Sequence, residues 1–290
     1  MAITGKTTVT GIIGWPVSHS LSPVLHNAAF KALGLDWIYV PFPIAPERLA
    51  EGICGLKAIG VAGFSVTIPH KVAIIPLLDE VTPEAELIGA VNTVVAKHGR
   101  LTGYNTDGIG LIAALAAKLD CDPKGKSVLV LGAGGAARSA VVSLAGAGAA
   151  RVEIANRSLA AATALADLVE GRLPQTSFAA RPLSVLSDAG FLGSFDLVVN
   201  TTSVGMAGDS FPGLSLKALK SGACIYDMVY APPVTPLLAQ AEALGIPCAN
   251  GLGMLVAQGE AAFRIWTGAT PPQGCMEGAL AAVLPTPGNP

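Results

Sequence analysis

The stretch Val128-Leu-Val-Leu-Gly-Ala-Gly-Gly-Ala-Ala-Arg138 predicts the fold of this chain. Its first four residues are aliphatic, which is typical of a short, fully buried strand in a parallel sheet. Gly132, Gly134 and Ala137 then fit the pattern G-x-G-x-x-G/A, and residues 136–147 are helix-prone. Small residues at these positions permit a tight turn, close approach of a pyrophosphate, and close packing of helix on strand. Because a predicted strand precedes the motif and a predicted helix follows it, the stretch favours dinucleotide binding over a structural turn.

Composition excludes several classes of protein. The chain has 290 residues, of which 51% are hydrophobic, and a formal net charge of −2; its mean hydropathy is +0.57. This length suits one large domain or two ordinary ones, each with its own core. No uninterrupted apolar run reaches the roughly 18 residues that span a bilayer, and no cluster of Lys or Arg favours a nucleic acid or a membrane surface as partner.

Cysteine and histidine spacing bears on the compartment and on metals. The five cysteines are scattered without a C-x-x-C pair, which is typical of reduced thiols in a cytosol rather than of disulfides or a zinc site. The four histidines show no metal-binding spacing, and no secretory signal is predicted at the N-terminus. We therefore expect a cytoplasmic protein without a metal. The sequence leaves the oligomeric state open, a homodimer included.

A polar loop follows the first predicted strand, residues 8–15. It leads into a helix predicted over about 23–33, with a proline in its first turn and Ser22 as its N-cap. Ser18 and Ser20 lie in the same loop, where no capping rule requires them. Because ligands of open α/β sheets bind at the carboxyl ends of strands, these two serines are candidate ligand contacts.

A second group of polar residues surrounds the end of a strand predicted over 64–68. Ser65, Thr67 and Lys71 lie there, and a lysine at such a position is a candidate acid/base or anion contact, although an isolated surface lysine is ordinarily just solvated. Asn92 lies in the next predicted strand among apolar neighbours, and a buried Asn needs hydrogen-bond partners from the backbone or from a ligand.

The second strand of the nucleotide-binding unit, predicted over 151–155, ends in Asn156-Arg157-Ser158. NAD enzymes place an Asp or Glu about 20 residues past the first glycine, on the ribose 2′-hydroxyl. That carboxylate is missing here, and Arg157 offers a guanidinium that can pair with a 2′-phosphate. The sequence therefore points to NADP rather than NAD, against the alternative of an arginine on a surface turn.

Further buried strands are predicted at about 195–200 and 223–230, each followed by a polar turn. Together with the intervening helices they predict a doubly wound parallel sheet over about 124–250. A last long helix is predicted over Leu252–Thr267, and a short helical piece near 276–283.

These motifs, in their order along nearly the whole chain, resemble the shikimate dehydrogenase family. The resemblance rests on eight segments: Ser-His-Ser-Leu-Ser-Pro (18–23), Ser-Val-Thr-Ile-Pro-His-Lys (65–71), Ala-Val-Asn-Thr (90–93), Tyr-Asn-Thr-Asp-Gly (104–108), Gly-Ala-Gly-Gly-Ala (132–136), Asn-Arg-Ser (156–158), Asn-Thr-Thr-Ser-Val-Gly-Met (200–206) and Gly-Leu-Gly-Met-Leu-Val-Ala-Gln (251–258).

The resemblance implies an NADP-dependent oxidoreductase that reversibly reduces 3-dehydroshikimate to shikimate in the chorismate pathway of aromatic amino acid biosynthesis. It implies two α/β domains. Residues 1–106 and 252–290 would form a substrate-binding and catalytic domain to which a C-terminal helix returns, and residues 107–251 a Rossmann-type NADP domain. By the same resemblance, Lys71 and Asp107 are the catalytic pair.

The remaining site residues are implied by the resemblance in the same way. The substrate would be bound by Ser18, Ser20, Ser65, Thr67, Asn92, Tyr230 and Gln258, with the first two serines on its carboxylate. The cofactor would be bound by Gly132, Ala133, Gly134, Gly135, Ala136, Asn156, Arg157, Ser158, Thr201, Met228 and Gly251. Two positions depart from the family pattern. Ser65 stands where the family often has Asn, and no second arginine follows Arg157.

The sequence leaves three alternatives open. The first is an enzyme of the same superfamily that acts on quinate, with NAD or NADP, because one extra substrate hydroxyl is a fine distinction. The second is a non-catalytic sensor of shikimate-like ligands, which would not need both Lys71 and Asp107. The third is a folate-type methylene dehydrogenase, which would not explain the loop with Ser18 and Ser20.

Overall fold

The structure, a computed structural model, describes residues 3–284. The chain divides into two compact units. The first unit contains the described residues 3–106 and 256–284, and the second contains Asp107–Leu255. The second boundary lies within one continuous helix, Leu252–Thr267.

The strands, in chain order, are β1 Thr8–Gly14, β2 Trp37–Pro43, β3 Gly63–Val66, β4 Glu80–Val81, β5 Thr93–Lys97, β6 Arg100–Tyr104, β7 Ser127–Leu131, β8 Arg151–Asn156, β9 Ser177–Pro182, β10 Leu197–Asn200, β11 Cys224–Asp227 and β12 Cys248–Ala249. The α-helices are α1 Ser22–Ala32, α2 Leu49–Ala58, α3 His70–Ala73, α4 Pro83–Ile88, α5 Asp107–Leu119, α6 Gly135–Gly146, α7 Leu159–Val169, α8 Ala189–Leu192, α9 Pro236–Ala243, α10 Leu252–Thr267 and α11 Cys275–Ala281.

The first unit contains a six-stranded mixed sheet in the order β2-β1-β3-β5-β6-β4. β1 pairs in parallel with β2 and β3, whereas β5 is antiparallel to both β3 and β6. A tight turn joins β5 to β6, with His98 at φ 52° and Gly99 at φ 73°, the positive angles that two-residue hairpin turns require. The carboxyl ends of the parallel strands β1 and β3 therefore lie side by side at one edge of this sheet.

The two faces of this sheet are covered by different helices. On one face, Ile53 and Leu56 of α2 join a buried cluster with Ile13 and Phe64 of the sheet. On the other face, helices α1 and α10 supply most of a set of stacked rings that we call the aromatic cluster. It consists of His26, Phe30, Tyr39, Phe263 and Trp266. The C-terminal helix α11 packs on α1, so the chain returns to the first unit as expected.

The second unit has the predicted doubly wound architecture. Its six strands are all parallel, in the order β12-β11-β10-β7-β8-β9, which is the dinucleotide-binding order 3-2-1-4-5-6. Leu129, Leu131, Val198 and Ile225, on three adjacent strands, are fully buried in one hydrophobic cluster, as near-continuous aliphatic strands covered on both faces require. The strand order reverses between β7 and β10, where such sheets bind their ligands.

Two local predictions in the first unit are wrong. Ser22 is not an N-cap, because α1 begins at Ser22 itself, Leu21 holds the cap position, and no side chain caps the helix there. Asn92 precedes β5 instead of lying within it. In both cases the side chain has other polar neighbours contributed by distant segments, which local sequence patterns do not encode.

The buried imidazole of His26 makes the first unit sensitive to acid. Burial lowers the pKa of His26 from 6.5 to about 3, so below pH 6.5 the unfolded chain binds a proton that the native state does not. We expect the free energy of unfolding to fall by about 1.4 kcal/mol per pH unit from this group between pH 6.5 and 3.

Urea unfolding at pH 7.0 and pH 5.5 tests this expectation. The variant His26→Leu should show a smaller loss of stability on acidification than the wild type, whatever its stability at pH 7.0. His98→Asn is the matched control, because His98 is exposed and Asn accepts its positive φ. Equal pH dependence in the wild type and His26→Leu would contradict the prediction.

Candidate functional site

The glycine-rich turn of the second unit begins at Gly132, directly after β7. Gly132 adopts φ +115°, which L side chains rarely adopt, and its N–H donates to the carbonyl of Ala155 at the end of β8 (2.9 Å). A Cβ at this position would lie 2.5 Å from Thr201 Oγ1. Glycine is therefore required here both by the backbone angle and by the close approach of the turn that follows β10.

Helix α6 starts immediately after this turn with its N-terminus open. Gly134 holds the N-cap position, and no side-chain cap accepts from the N–H groups of the first turn. A Cβ at Gly134 would meet nothing within 4 Å, so the space beside this residue is open. Unpaired N–H groups at the positive end of a helix dipole bind phosphate. Ala133, Gly135 and Ala136 complete this turn, which fits a pyrophosphate.

The neighbouring strands end beside the turn. Thr201, after β10, donates from its N–H (2.9 Å) and from its hydroxyl (2.7 Å) to the carbonyl of Leu131, so the ends of β10 and β7 are tied together. After β11, the N–H of Met228 donates to Asn200 O (2.9 Å). Gly251 follows β12, and a Cβ there would overlap the carbonyl oxygen of Met228. Thr201, Met228 and Gly251 thus follow successive strands of one half of the sheet.

Asn156, Arg157 and Ser158 end β8 on the other half of the sheet. Asn156 Nδ2 donates to Ser158 O (3.0 Å), and Ser158 Oγ caps α7 by accepting from Ala161 N (3.3 Å). Arg157 is exposed and forms no ion pair within residues 3–284. These contacts hold the loop in shape and leave the guanidinium of Arg157 available to an anion such as a 2′-phosphate.

In the first unit, Ser65, Thr67 and Lys71 occupy the end of β3 and the start of α3. Ser65 is buried, and Thr67 is half-buried with its N–H donating to Ile13 O (3.0 Å). Lys71 is half-buried in α3, where its carbonyl accepts from Val91 N (2.8 Å). The ammonium of Lys71 is therefore carried on a backbone anchored to the segment that precedes Asn92.

Asn92 is buried in a hydrogen-bonded network. Its Oδ1 accepts from Thr106 N (2.8 Å) and from Thr93 Oγ1 (2.9 Å). Its Nδ2 donates to Thr106 Oγ1 (2.9 Å) and to Gln258 Oε1 at the longer distance of 3.5 Å. The structure therefore brings together two sequence-predicted site residues, Asn92 and Gln258, that are far apart in the chain. Thr93 and Thr106 orient the amide, a role that sequence reasoning missed.

The serine loop differs from its sequence-based interpretation. Ser18 is exposed, whereas Ser20 is half-buried and its Oγ accepts from Ser22 N (3.3 Å). Ser22, interpreted from the sequence as a cap, is 4% exposed, and its side chain lies near the hydroxyl of Tyr39 together with Ser65. Sequence reasoning did not place Ser22 and Tyr39 beside Ser65. The polar Ser-x-Ser-x-Ser repeat could have indicated Ser22, but no sequence signal indicates Tyr39.

The other predicted site residues lie in the second unit. Asp107 is the first residue of α5 and is 5% exposed. Tyr230 follows β11, and burial raises the pKa of its phenol. The chain passes from one unit to the other between Thr106 and Asp107, so the predicted catalytic residues Lys71 and Asp107 belong to different units.

Residues 3–284 contain neither a candidate metal site nor a helix that could span a membrane. No group of three or more His, Cys, Asp or Glu side chains in this part of the chain could hold a metal ion. None of its helices is both long enough and apolar enough to cross a membrane.

Comparison with known proteins identifies the family. Family models described as the shikimate dehydrogenase substrate binding domain, shikimate/quinate 5-dehydrogenase and the shikimate 5'-dehydrogenase C-terminal domain match residues 12–94, 114–205 and 251–281. The chain is 75% identical to the shikimate dehydrogenase (NADP(+)) of Citrifermentans bemidjiense, over 100% of both chains.

Solved structures agree. A shikimate dehydrogenase in complex with NADP+ is 41% identical, with TM-score 0.89 and 98% of both chains covered. The enzyme of Thermus thermophilus in complex with NADP(H) and shikimate is 37% identical, with TM-score 0.84, covering 96% of this chain and 100% of that one. The chain belongs to the shikimate dehydrogenase family.

Proposed function

We propose that the chain is an NADP-dependent oxidoreductase that reversibly reduces 3-dehydroshikimate to shikimate in aromatic amino acid biosynthesis. The observation that carries the proposal is the glycine turn at the switch point of the second unit's sheet, in a chain of this family. The turn supplies a phosphate site, and the end of β8 supplies a guanidinium where NAD enzymes supply a carboxylate. A dehydrogenase that uses NADP explains both features.

Binding of the cofactor is assigned to residues of the second unit. They are Gly132, Ala133, Gly134, Gly135, Ala136, Asn156, Arg157, Ser158, Thr201, Met228 and Gly251. The N–H groups of the α6 N-terminus would hold the pyrophosphate, and Arg157 the 2′-phosphate. When bound, the nicotinamide supplies or accepts the hydride.

Proton transfer to and from the substrate hydroxyl is assigned to Lys71 and Asp107. Oxidation of a secondary alcohol needs a group that takes the hydroxyl proton, and the reverse reaction needs a donor that stabilises the developing alkoxide charge. An ammonium with a carboxylate supplies both. Binding of the substrate's carboxylate and hydroxyls is assigned to Ser18, Ser20, Ser65, Thr67, Asn92, Tyr230 and Gln258. The arrangement around Ser22 adds that serine to the assignment.

A two-by-two assay tests the proposed function. Shikimate or quinate is offered with NADP⁺ or NAD⁺, and reduced nicotinamide is followed by absorbance. Activity mainly with shikimate and NADP⁺ is expected. Comparable rates with quinate or NAD⁺ would overturn the substrate or cofactor assignment, and binding without turnover would favour a sensor. Light scattering tests whether the protein forms a homodimer, which the sequence leaves open. The five free thiols accord with the cytoplasmic location that we propose.

Arg157 is expected to decide between the two cofactors. Because the guanidinium is exposed, its pairing with a 2′-phosphate is screened by solvent, and we expect Arg157→Ala to raise KM for NADP⁺ by about tenfold. KM for NAD⁺ should change little, because NAD⁺ has no 2′-phosphate. Steady-state kinetics with both cofactors measure this, with the exposed Arg172 changed to Ala as the control. Equal losses with NADP⁺ and NAD⁺ would rule out a 2′-phosphate contact.

A further inference from the structure

The hydroxyl of Tyr39 is buried in the first unit without a hydrogen-bond partner among the described residues. The residue is 1% exposed, and its hydroxyl has no hydrogen-bond partner within residues 3–284. Buried polar groups are almost always paired. A Phe would fill the same space without an unpaired hydroxyl, so packing alone does not account for a Tyr at this position.

The strand register places the side chain of Tyr39 on the same face of the sheet as Ser65, one of the predicted substrate residues. Tyr39 of β2 is the partner of Thr10 in β1, and Thr10 is in turn the partner of Gly63 in β3. Ser65 lies two residues beyond Gly63 and therefore on the same face of the sheet. The side chain of Tyr39 thus lies on the same face as that of Ser65. It is level with Gly63, two residues nearer the amino ends of the parallel strands.

The surroundings of the hydroxyl are also polar. Burial is the main cause that raises the pKa of Tyr39, and the side chains of Ser65 and Ser22 oppose it. These two serines are 7% and 4% exposed, slightly more than the tyrosine. The hydroxyl of Tyr39 therefore lies beside two serine side chains in a buried environment.

The ring of Tyr39 cannot readily move away from this position. Asn27 clamps the tyrosine backbone, with Asn27 Nδ2 donating to Tyr39 O and Tyr39 N donating to Asn27 Oδ1, both at 2.9 Å. His26 stacks on the ring at a centroid distance of 4.4 Å and an interplanar angle of 20°, and Trp266 packs at 5.8 Å. These contacts fix the conformation of the phenol. A side chain that orients neighbouring side chains needs such a fixed conformation.

We propose that Tyr39 is a positioning residue of the substrate site, whose hydroxyl orients the hydroxyls of Ser22 and Ser65 toward the polar groups of the substrate. The proposal rests on the proposed function, since it concerns the same substrate. Tyr39 itself does not touch the substrate. In the complex with substrate, its hydroxyl, which is unpaired within the described part of this structure, donates to a serine oxygen, so that the serine's own proton points at the ligand.

Tyr39→Phe separates this role from a structural one. The substitution removes only an unpaired hydroxyl, so the melting temperature should stay the same or rise. KM for shikimate should increase about fivefold, with kcat within about twofold of the wild type and KM for NADP⁺ unchanged. A tyrosine that merely packs would leave KM unchanged.

Tyr226→Phe is the matched control. Tyr226 is a buried tyrosine of the second unit whose hydroxyl accepts from Met254 N (3.3 Å). Removal of this hydrogen-bonded hydroxyl should lower the melting temperature and leave KM for shikimate unchanged. This is the opposite of the pattern expected for Tyr39→Phe.

A double-mutant cycle tests whether Tyr39 acts through Ser22. Tyr39→Phe should raise KM in the wild type but add little in the Ser22→Ala background. Full additivity, or an unchanged KM in Tyr39→Phe, would overturn the proposal. If the wild type does not oxidise shikimate, the proposed function itself fails, and the inference fails with it. If the wild type is active and KM is unaffected by Tyr39→Phe, only the inference fails.

Discussion

Lys71→Ala is expected to lower kcat for shikimate oxidation by about 10²–10⁴-fold, the usual contribution of a positioned acid or base. The side chain is half-buried in α3, and the backbone carbonyl of Lys71 is held by Val91 N, so truncation should remove the ammonium without moving the helix. Affinity for NADP⁺, whose assigned residues all lie in the second unit, should stay close to that of the wild type.

The measurement is single-turnover and steady-state oxidation of shikimate, together with the dissociation constant of NADP⁺. Lys31→Ala is the matched control, because Lys31 is an exposed lysine in the last turn of α1 in the same unit. It should retain wild-type turnover. Comparable kcat in Lys71→Ala would exclude this lysine from proton transfer and leave Asp107 as the remaining candidate.

Asp227→Ala is expected to destabilise the second unit by about 3 kcal/mol or more. The carboxylate is fully buried. It accepts from Asn200 Nδ2 (2.9 Å), Val229 N (3.0 Å) and Thr235 Oγ1 (2.6 Å). Thr235 in turn caps α9. Truncation would leave three buried donors without an acceptor, and each such loss costs roughly 1–3 kcal/mol.

Burial is the main cause that raises the pKa of Asp227, and the three hydrogen bonds oppose it. Asp227→Asn keeps the shape and one acceptor oxygen, so it should cost less than Asp227→Ala. Thermal unfolding measures both, and a loss of about 3 kcal/mol corresponds to a shift of roughly 6–12 °C. A shift of less than 2 °C for Asp227→Ala would show that other groups or water replace the carboxylate.

The nucleotide-binding half of the chain was predictable because its signals are local. A buried aliphatic strand, a glycine turn and a helix follow one another within the stretch 128–147, and the same arrangement of strand and helix recurs through the second unit. The parallel pairing of β7 with β8 and β10 follows from that recurrence. The bounds of α10, Leu252–Thr267, agree with the prediction because glycines flank the helix: Gly251 precedes it, and Gly268, at φ 71°, follows it.

The substrate half was less predictable because its sheet is mixed and its polar side chains meet across long sequence separations. Strand β4 has only two residues, too few for a periodic pattern. The partners of Asn92 include Thr106 and Gln258, which no local spacing connects. Ser22 fits a helix cap by its position before a proline, and only the structure shows that its side chain is buried near Tyr39 and Ser65.

The sequence by itself therefore determined the class of fold, the dinucleotide turn, the guanidinium at the end of β8 and the family. These depend on the order of residues within short segments, where backbone conformation and side-chain chemistry are set locally. Three contacts were decided by the tertiary structure alone. They are the serine hydroxyls near Tyr39, the pairing of the Asn92 amide with Gln258, and the hydrogen bonds by which the Asp227 carboxylate connects β10, β11 and α9. Those contacts depend on strand register and helix packing, which bring together residues that are remote in the chain.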